Sequence, residues 1–338
     1  MTLRAPFPYF GGKRRVADLV WSRLGDTPNY VEPFAGSLAV LLGRPSNPRI
    51  ETVNDLDAYV ANFWRALSAD PDLVAQWADW PVNEADLHAR HTWLMQQQAA
   101  GFRERMMSDP EYYDPQVAGW WVWGISQWIG SGWCRTDRTT DESWRGRFDR
   151  QPKVDHKRPR LDRGGRGVSR QIPCLHGDSG ATGRGVRASA LARRGGLYAW
   201  MSELADRLRN VRVCCGDWKR ILGPSPTTCI GTTAVLLDPP YGAAAERTAR
   251  IYAMDSMTIA DDVRRWCQEH ADDPNLRIAL CGYVGEHDEL EAQGWDVVAW
   301  KAHGGYAKND NAAKERIWFS PACLSADVDA QQTITGVA

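Results

Sequence analysis

The sequence predicts a doubly wound α/β fold, with a mainly parallel sheet and a mainly helical region inserted in its middle. Three observations carry this. Short apolar runs alternate with amphipathic stretches on both sides of the 338-residue chain, the signature of a sheet flanked by helices. Nine of the 17 tryptophans fall between Trp77 and Trp144, several at helical spacing, as in the stretch WWVWGISQWIGSGW at 120–133. Residues 135–196 form a separate glycine-rich segment, with 16 Lys and Arg against 7 Asp and Glu.

Taken in order, Val16–Leu24 reads as a helix, Tyr30–Glu32 as a strand, Leu38–Leu42 as an apolar helix and Glu51–Val53 as a second strand. Ala58–Leu67 is the next helix. Trp120, Trp123, Gly124, Gln127 and Trp128 share one helical face, so their indoles predict a packed core, with one or two at its rim able to stack on bases. Beyond the basic segment, Leu197–Arg209 reads as a helix and Val211–Cys215 and Ala234–Leu237 as strands. Ile259–Glu269 (helix), Arg277–Cys281 (strand) and Glu286–Gln293 (helix) follow. Asp296–Trp300 and Arg316–Phe319 form a hairpin-like pair that predicts an antiparallel edge. No internal repeat is visible. The expected divisions are 1–64, an insertion at 65–196, 197–325, and a flexible tail at 326–338.

Charge is segregated. The chain has a formal net charge of −1, so the +9 of residues 135–196 sits against −10 elsewhere. A basic loop in an otherwise acidic protein predicts a nucleic-acid partner, the alternative being a solvated insertion. Eight cysteines show no repeated CxxC spacing, and Cys174 with His176 is the one local Cys/His pair; no metal site is expected. No apolar run reaches the ~18 residues of a membrane span, and the opening MTLRAPFPYFGGK has no apolar leader core. A reduced, cytoplasmic protein with free thiols is the expectation.

The run Val235-Leu236-Leu237 stops at Asp238-Pro239-Pro240-Tyr241-Gly242. In a doubly wound sheet, ligands sit beyond the carboxyl ends of strands. The prolines lack N–H donors and stiffen the chain. The Asp238 carboxylate and the Pro239 carbonyl are thereby presented as two acceptors beside the Tyr241 ring, a receptor for a planar ring bearing an NH₂ group. A proline-stiffened turn capped by an aspartate is the plainer alternative. Upstream, Glu32-Pro33-Phe34-Ala35-Gly36-Ser37 links a strand to a helix through small residues, as at a nucleotide-accepting βα turn. Asn54-Asp55 ends the next strand, where the acid can accept from ribose hydroxyls. Phe10-Gly11-Gly12-Lys13 puts a lysine on a glycine turn.

FGGK at 10–13, VEPFAGS at 31–37, VNDLD at 53–57 and LLDPPYG at 236–242 together resemble the D12-class, Dam-like family of S-adenosylmethionine-dependent DNA adenine-N6 methyltransferases. Cys281-Gly282-Tyr283 and Lys314–Ile317 resemble the family's later strands. One departure is Leu38, which stands at the second glycine of the family's Phe-x-Gly-x-Gly. The resemblance implies a Rossmann-like mixed sheet of the methyltransferase fold, with a target-recognition domain at 65–196. It implies that Asp238 and Pro239 accept from an exocyclic amine, with Pro240 stiffening the turn and Tyr241 stacking on a base flipped from double-stranded DNA.

For S-adenosylmethionine the resemblance implies Phe10, Gly11, Gly12, Lys13, Glu32, Pro33, Phe34, Ala35, Gly36, Ser37, Asn54, Asp55 and Asp238, with Asp217 a candidate for the cofactor's adenine amine. Lys13 as a surface lysine and Asp217 as a helix N-cap stay open as alternatives. Arg158, Arg160 and Arg163 are candidate phosphate contacts in the basic segment. The loop His303–Tyr306 either closes over DNA or is an ordinary connection. A monomer or weak dimer acting in a bacterial or phage-infected cell is expected. Cytosine-N4 methylation is the runner-up chemistry, and a non-catalytic DNA-binding protein on the same scaffold is the alternative of a different class.

Overall fold

Among the described residues seven strands form a single sheet: β1 (Asn29–Glu32), β2 (Ile50–Asp55), β3 (Val211–Cys215), β4 (Thr233–Leu237), β5 (Leu276–Tyr283), β6 (Asp296–Ala299) and β7 (Glu315–Phe319). Their order is β3-β2-β1-β4-β5-β7-β6. The computed structural model describes residues 3–7, 9, 13–46, 49–109, 111–128, 133–134, 194–240, 255–300 and 314–325. Each strand contains the run that predicts it, except that β6 stops at Ala299, one residue short of the expected Trp300. β1 to β5 pair in parallel, and β7 runs antiparallel to both β5 and β6. The antiparallel feature is therefore present near 296–319, but β7 lies inside the sheet and β6 is its edge. A seven-stranded, mostly parallel sheet in a mixed α/β chain is consistent with a methyltransferase fold.

Two compact units divide the chain. One takes in residues 10–56 and 210–338, the other residues 3–9 and 57–209. The first unit contains the sheet with α1 (Ala17–Leu24), α2 (Ala39–Leu42) and α9 (Asp255–Glu269). β1 and β4 are buried at every position, as parallel strands covered on both faces require. Val31, Val235, Leu237, Ile278, Leu280 and Trp318 form the core beneath α9 residues Val263 and Cys267. At the other side Trp21 donates its indole N–H to the Val40 carbonyl at 2.7 Å and packs against Tyr30. The helix expected at Glu286–Gln293 is a 3₁₀ turn over Asp288–Gln293, ended by Gly294 at φ +81°. Single short turns of this kind commonly take the tighter i→i+3 bonding, as the Gly294 N–H does with the Glu291 carbonyl.

The second unit is helical: α3 (Ala58–Ala69), α4 (Pro71–Ala78), α5 (Glu84–Ala99), α6 (Phe102–Ser108), α7 (Pro115–Ile125) and α8 (Arg194–Leu208). Asp70-Pro71 and Asp114-Pro115 each supply an N-cap carboxylate followed by a proline whose missing N–H costs nothing there. The core is built of aromatic rings: Phe7 meets Phe63, Trp64 and Trp121 at 5.0–5.7 Å. Trp123, Gly124 and Gln127 are buried as the helical spacing predicts, whereas Trp120 and Trp128 are half-buried and Trp121, outside that set, is buried as well. α7 ends at Ile125, however, so Gln127 and Trp128 follow it in a turn bonded to the Gly124 carbonyl. Gly119 and Gly124 are packing glycines. A Cβ at Gly119 would overlap Trp77 of α4, and one at Gly124 would overlap the Trp133 ring.

Among the described residues no helix is long and apolar enough to cross a membrane, no group of His, Cys, Asp and Glu has metal-binding geometry, and the seven cysteines are all free. Cys174 and His176 lie outside the described residues.

Candidate active site

Between β1 and β4 the strand order reverses: β1 carries β2 on one side and β4 on the other. Crevices at such switch points, beyond the carboxyl ends of the strands, are where doubly wound sheets take ligands. Glu32 closes β1 there, and Asp238 directly follows β4. Pro239 is buried, while Asp238 and Pro240 are half-buried.

Asp238 has a partner from the other end of the chain. Lys13 Nζ lies 2.9 Å from Asp238 Oδ1. Lys13 opens a 3₁₀ turn, Lys13–Val16, ahead of α1 and is only 4% exposed, which excludes a surface lysine. Its ammonium also lies 5.6 Å from the centre of the Trp300 ring. Burial works against the charge, but the Asp238 carboxylate outweighs it with help from Glu315, and Lys13 is held above the usual lysine range. Glu32 shows the opposite balance. It is buried, accepts from the Tyr30 hydroxyl at 2.9 Å, and is pushed up to about 8 by desolvation, with the Asp238 and Glu51 charges adding to the shift. Near neutral pH this site therefore combines a neutral Glu32 with a Lys13–Asp238 ion pair. Burial likewise raises the Cys281 thiol beside them.

The turn after β1 is laced to its neighbours. The Ala35 N–H donates to the Asn54 carbonyl at 2.9 Å, and the Gly36 N–H donates to Asp55 Oδ2 at 2.9 Å. Asn54 Nδ2 donates to the Pro33 and Gly216 carbonyls at 3.1 and 3.0 Å. The carboxyl ends of β1, β2 and β3 are thus tied together by one asparagine and one aspartate. Gly36 sits at φ +46° and Leu38 at φ +53°. Leu38 thus adopts left-handed geometry, at an unfavourable cost of roughly 1–2 kcal/mol, and its fully buried side chain offsets this.

Asp217 follows β3, is exposed, and accepts from the Lys219 N–H at 2.8 Å, so the capping alternative describes its geometry. Phe34 packs near Trp218, with ring centres 6.0 Å apart. Of the candidate site residues, the sheet unit contains Lys13, Glu32, Pro33, Phe34, Ala35, Gly36, Ser37, Asn54, Asp55, Asp217, Asp238, Pro239 and Pro240. Phe10, Gly11, Gly12 and Tyr241, the three basic-segment arginines and the loop His303–Tyr306 lie outside the described residues. Sequence reasoning assigned no role to Glu315 or Cys281, which flank Lys13. Both fall in the blocks Cys281–Tyr283 and Lys314–Ile317 that resemble the family's later strands, but nothing in those blocks marked them as neighbours of Lys13.

The acceptor chemistry fits a nucleoside-like cofactor. Asp55 and Asp217 place carboxylates at or just beyond the carboxyl ends of adjacent strands, and Asn54 Oδ1 is a buried acceptor without a hydrogen-bond partner. Hydroxyl and amino donors of such a cofactor match that set.

A comparison with curated proteins found no match. The Asp238–Tyr241 block lies beyond the region that a family model covers. That model is described as D12 class N6 adenine-specific DNA methyltransferase, and residues 9–110 of the chain match it, which is the family that the sequence blocks resemble.

Proposed function

We propose that the protein transfers a methyl group from S-adenosylmethionine to the N6 amine of adenine in double-stranded DNA. The observation that carries this reading is the Lys13–Asp238 pair at the switch point, because it joins the family-matched N-terminal block to the DPPY block. S-adenosylmethionine would supply an electrophilic methyl on sulfur, held by the Gly36 turn, Asp55 and Asp217. The remaining work belongs to the chain's own atoms.

An exocyclic amine is a poor nucleophile because its lone pair is delocalised into the ring. The Asp238 carboxylate and the Pro239 carbonyl would accept its two N–H bonds and draw the nitrogen towards tetrahedral geometry, releasing the lone pair from conjugation with the ring. Preorganised acceptors of this kind act on charge that develops only in the transition state. Lys13 is a positioning residue in this scheme, since its ammonium orients the Asp238 carboxylate without touching the base. Tyr241 would stack on the flipped base. The helical unit and the basic segment, with Arg158, Arg160 and Arg163 on phosphates, would carry target recognition. A monomer or weak dimer is the assembly we propose.

Calorimetric titration with S-adenosylmethionine, followed by methylation of plasmid DNA and base-resolution detection of modified positions, tests the proposal. Cofactor binding with modified adenines supports it. Modified cytosines would favour the N4 alternative, and absence of cofactor binding would favour a non-catalytic DNA-binding role.

A further inference from the structure

Lys13 is gripped from more than one side. The pairing of Leu237 with Leu280 continues to Asp238 beside Cys281, while β7 sets Ile317 opposite Cys281 and Glu315 opposite Tyr283. Side chains alternate along a strand and paired residues share a face. Asp238, Cys281 and Glu315 therefore belong to one face of the sheet, at the carboxyl ends of β4 and β5. The Lys13 ammonium is on that face, and both carboxylates support its charge, Asp238 the more strongly. Glu315 is only 5% exposed. Its backbone is fixed as well, since its carbonyl accepts from the Trp300 N–H at 3.2 Å. The Trp300 ring in turn lies 5.6 Å from Lys13 Nζ.

A second carboxylate behind Lys13 answers a difficulty in the chemistry. An ammonium on Asp238 Oδ1 draws charge from the carboxylate, and the pair taken alone is neutral. Yet positive charge develops on the amine nitrogen as it takes the methyl group, and a neutral pair opposes that charge only weakly. With Glu315 included, and with the Glu32 carboxyl and the Cys281 thiol both protonated near neutral pH, the cluster is left with negative charge in excess. Because β7 lies inside the sheet, that charge is held on a rigid element.

We propose that Glu315 is a positioning residue for methyl transfer: it holds the Lys13 ammonium from behind, so that Asp238 keeps the charge with which it meets the amine. The part in catalysis rests on the methyltransferase reading, whereas the grip on Lys13 does not.

Two measurements on the full chain test this. In urea unfolding, Glu315→Gln combined with Lys13→Met should lose less stability than the two single variants summed, as groups in contact do. In methyl transfer at saturating DNA and S-adenosylmethionine, Glu315→Gln should lower kcat about tenfold, the scale of one unit charge near the reacting atoms in a partly screened site. Both KM values should stay within about twofold of the wild type. Glu315→Asp keeps the charge and changes the shape, so it should be faster than Glu315→Gln. A merely structural role reverses that order, because glutamine keeps the shape. Full kcat in Glu315→Gln, the reversed order, or additive losses in urea overturns the proposal. A wild type that transfers no methyl group overturns the methyltransferase reading instead, and the unfolding measurement then still judges the grip on Lys13.

Discussion

Lys13 Nζ and Asp238 Oδ1 stand 2.9 Å apart with very different exposures, 5% for the lysine side chain and 24% for the aspartate. The asymmetry sets what each loss should cost. Lys13→Met leaves a carboxylate that water can reach. Asp238→Ala removes the ion-pair partner of a buried ammonium, and breaking a buried pair from one side costs about 3–5 kcal/mol. Urea unfolding should show Asp238→Ala as the more destabilised single variant, with the double variant less destabilised than the sum. Equal, additive losses would mean that the two groups do not depend on each other.

Glu32 makes a pH prediction. Its folded-state pKa, pushed up to about 8 chiefly by desolvation, lies above the value of about 4.3 expected in an unfolded chain. The folded state therefore holds the proton more tightly. Stability from this group is full below about pH 4 and is lost as pH rises through about 8. Glu32→Gln mimics the protonated form, so its unfolding free energy should fall less than that of the wild type between pH 5 and 9. Parallel pH profiles for the two proteins would refute an elevated Glu32.

Leu38 sets backbone strain against burial. Glycine there would relieve roughly 1–2 kcal/mol of left-handed strain and forfeit about 1.5–3 kcal/mol of leucine burial. Alanine forfeits most of the burial and keeps the strain. Leu38→Gly should thus be destabilised by less than Leu38→Ala in chemical unfolding. The usual order, with alanine the better tolerated, would show that φ +53° is not strained.

Gly119 reverses another common expectation. Replacing a mid-helix glycine by alanine ordinarily gains about 0.5–1 kcal/mol. At Gly119 the new Cβ would overlap Trp77 and lie 2.8 Å from the Val74 carbonyl oxygen, both on α4. Overpacking against backbone costs about 1–3 kcal/mol. Gly119→Ala should lower the melting temperature, and a rise would mean that α4 and α7 separate freely.

β1, β4 and β5 were legible because buried strands leave short, dense apolar runs, as Val235–Leu237 does. The turn from Glu32 to Ser37 was legible from its small residues. The structure shows besides that Leu38 adopts the left-handed region. Less legible was whatever depends on distant residues meeting. Lys13 could be read as a surface lysine until burial beside Asp238 settled it. Asp217 carried two readings because a carboxylate after a strand both caps a turn and faces the crevice. Glu315 left no signal of its own, since its meaning lies in Lys13, which comes from the other end of the chain. The 3₁₀ form of Asp288–Gln293 escaped because propensity does not distinguish i→i+3 from i→i+4 bonding in a single short turn.

The most direct measurement uses the wild type and Asp238→Ala with S-adenosylmethionine labelled on its methyl group and unmethylated DNA, digested to nucleosides and resolved chromatographically. The account predicts label in N6-methyladenine for the wild type. It predicts a rate about 10²–10³-fold lower for Asp238→Ala, the loss expected from removing one preorganised hydrogen-bonding group, with cofactor binding retained. Undiminished transfer by Asp238→Ala, or label in any nucleoside other than N6-methyladenine, would contradict it.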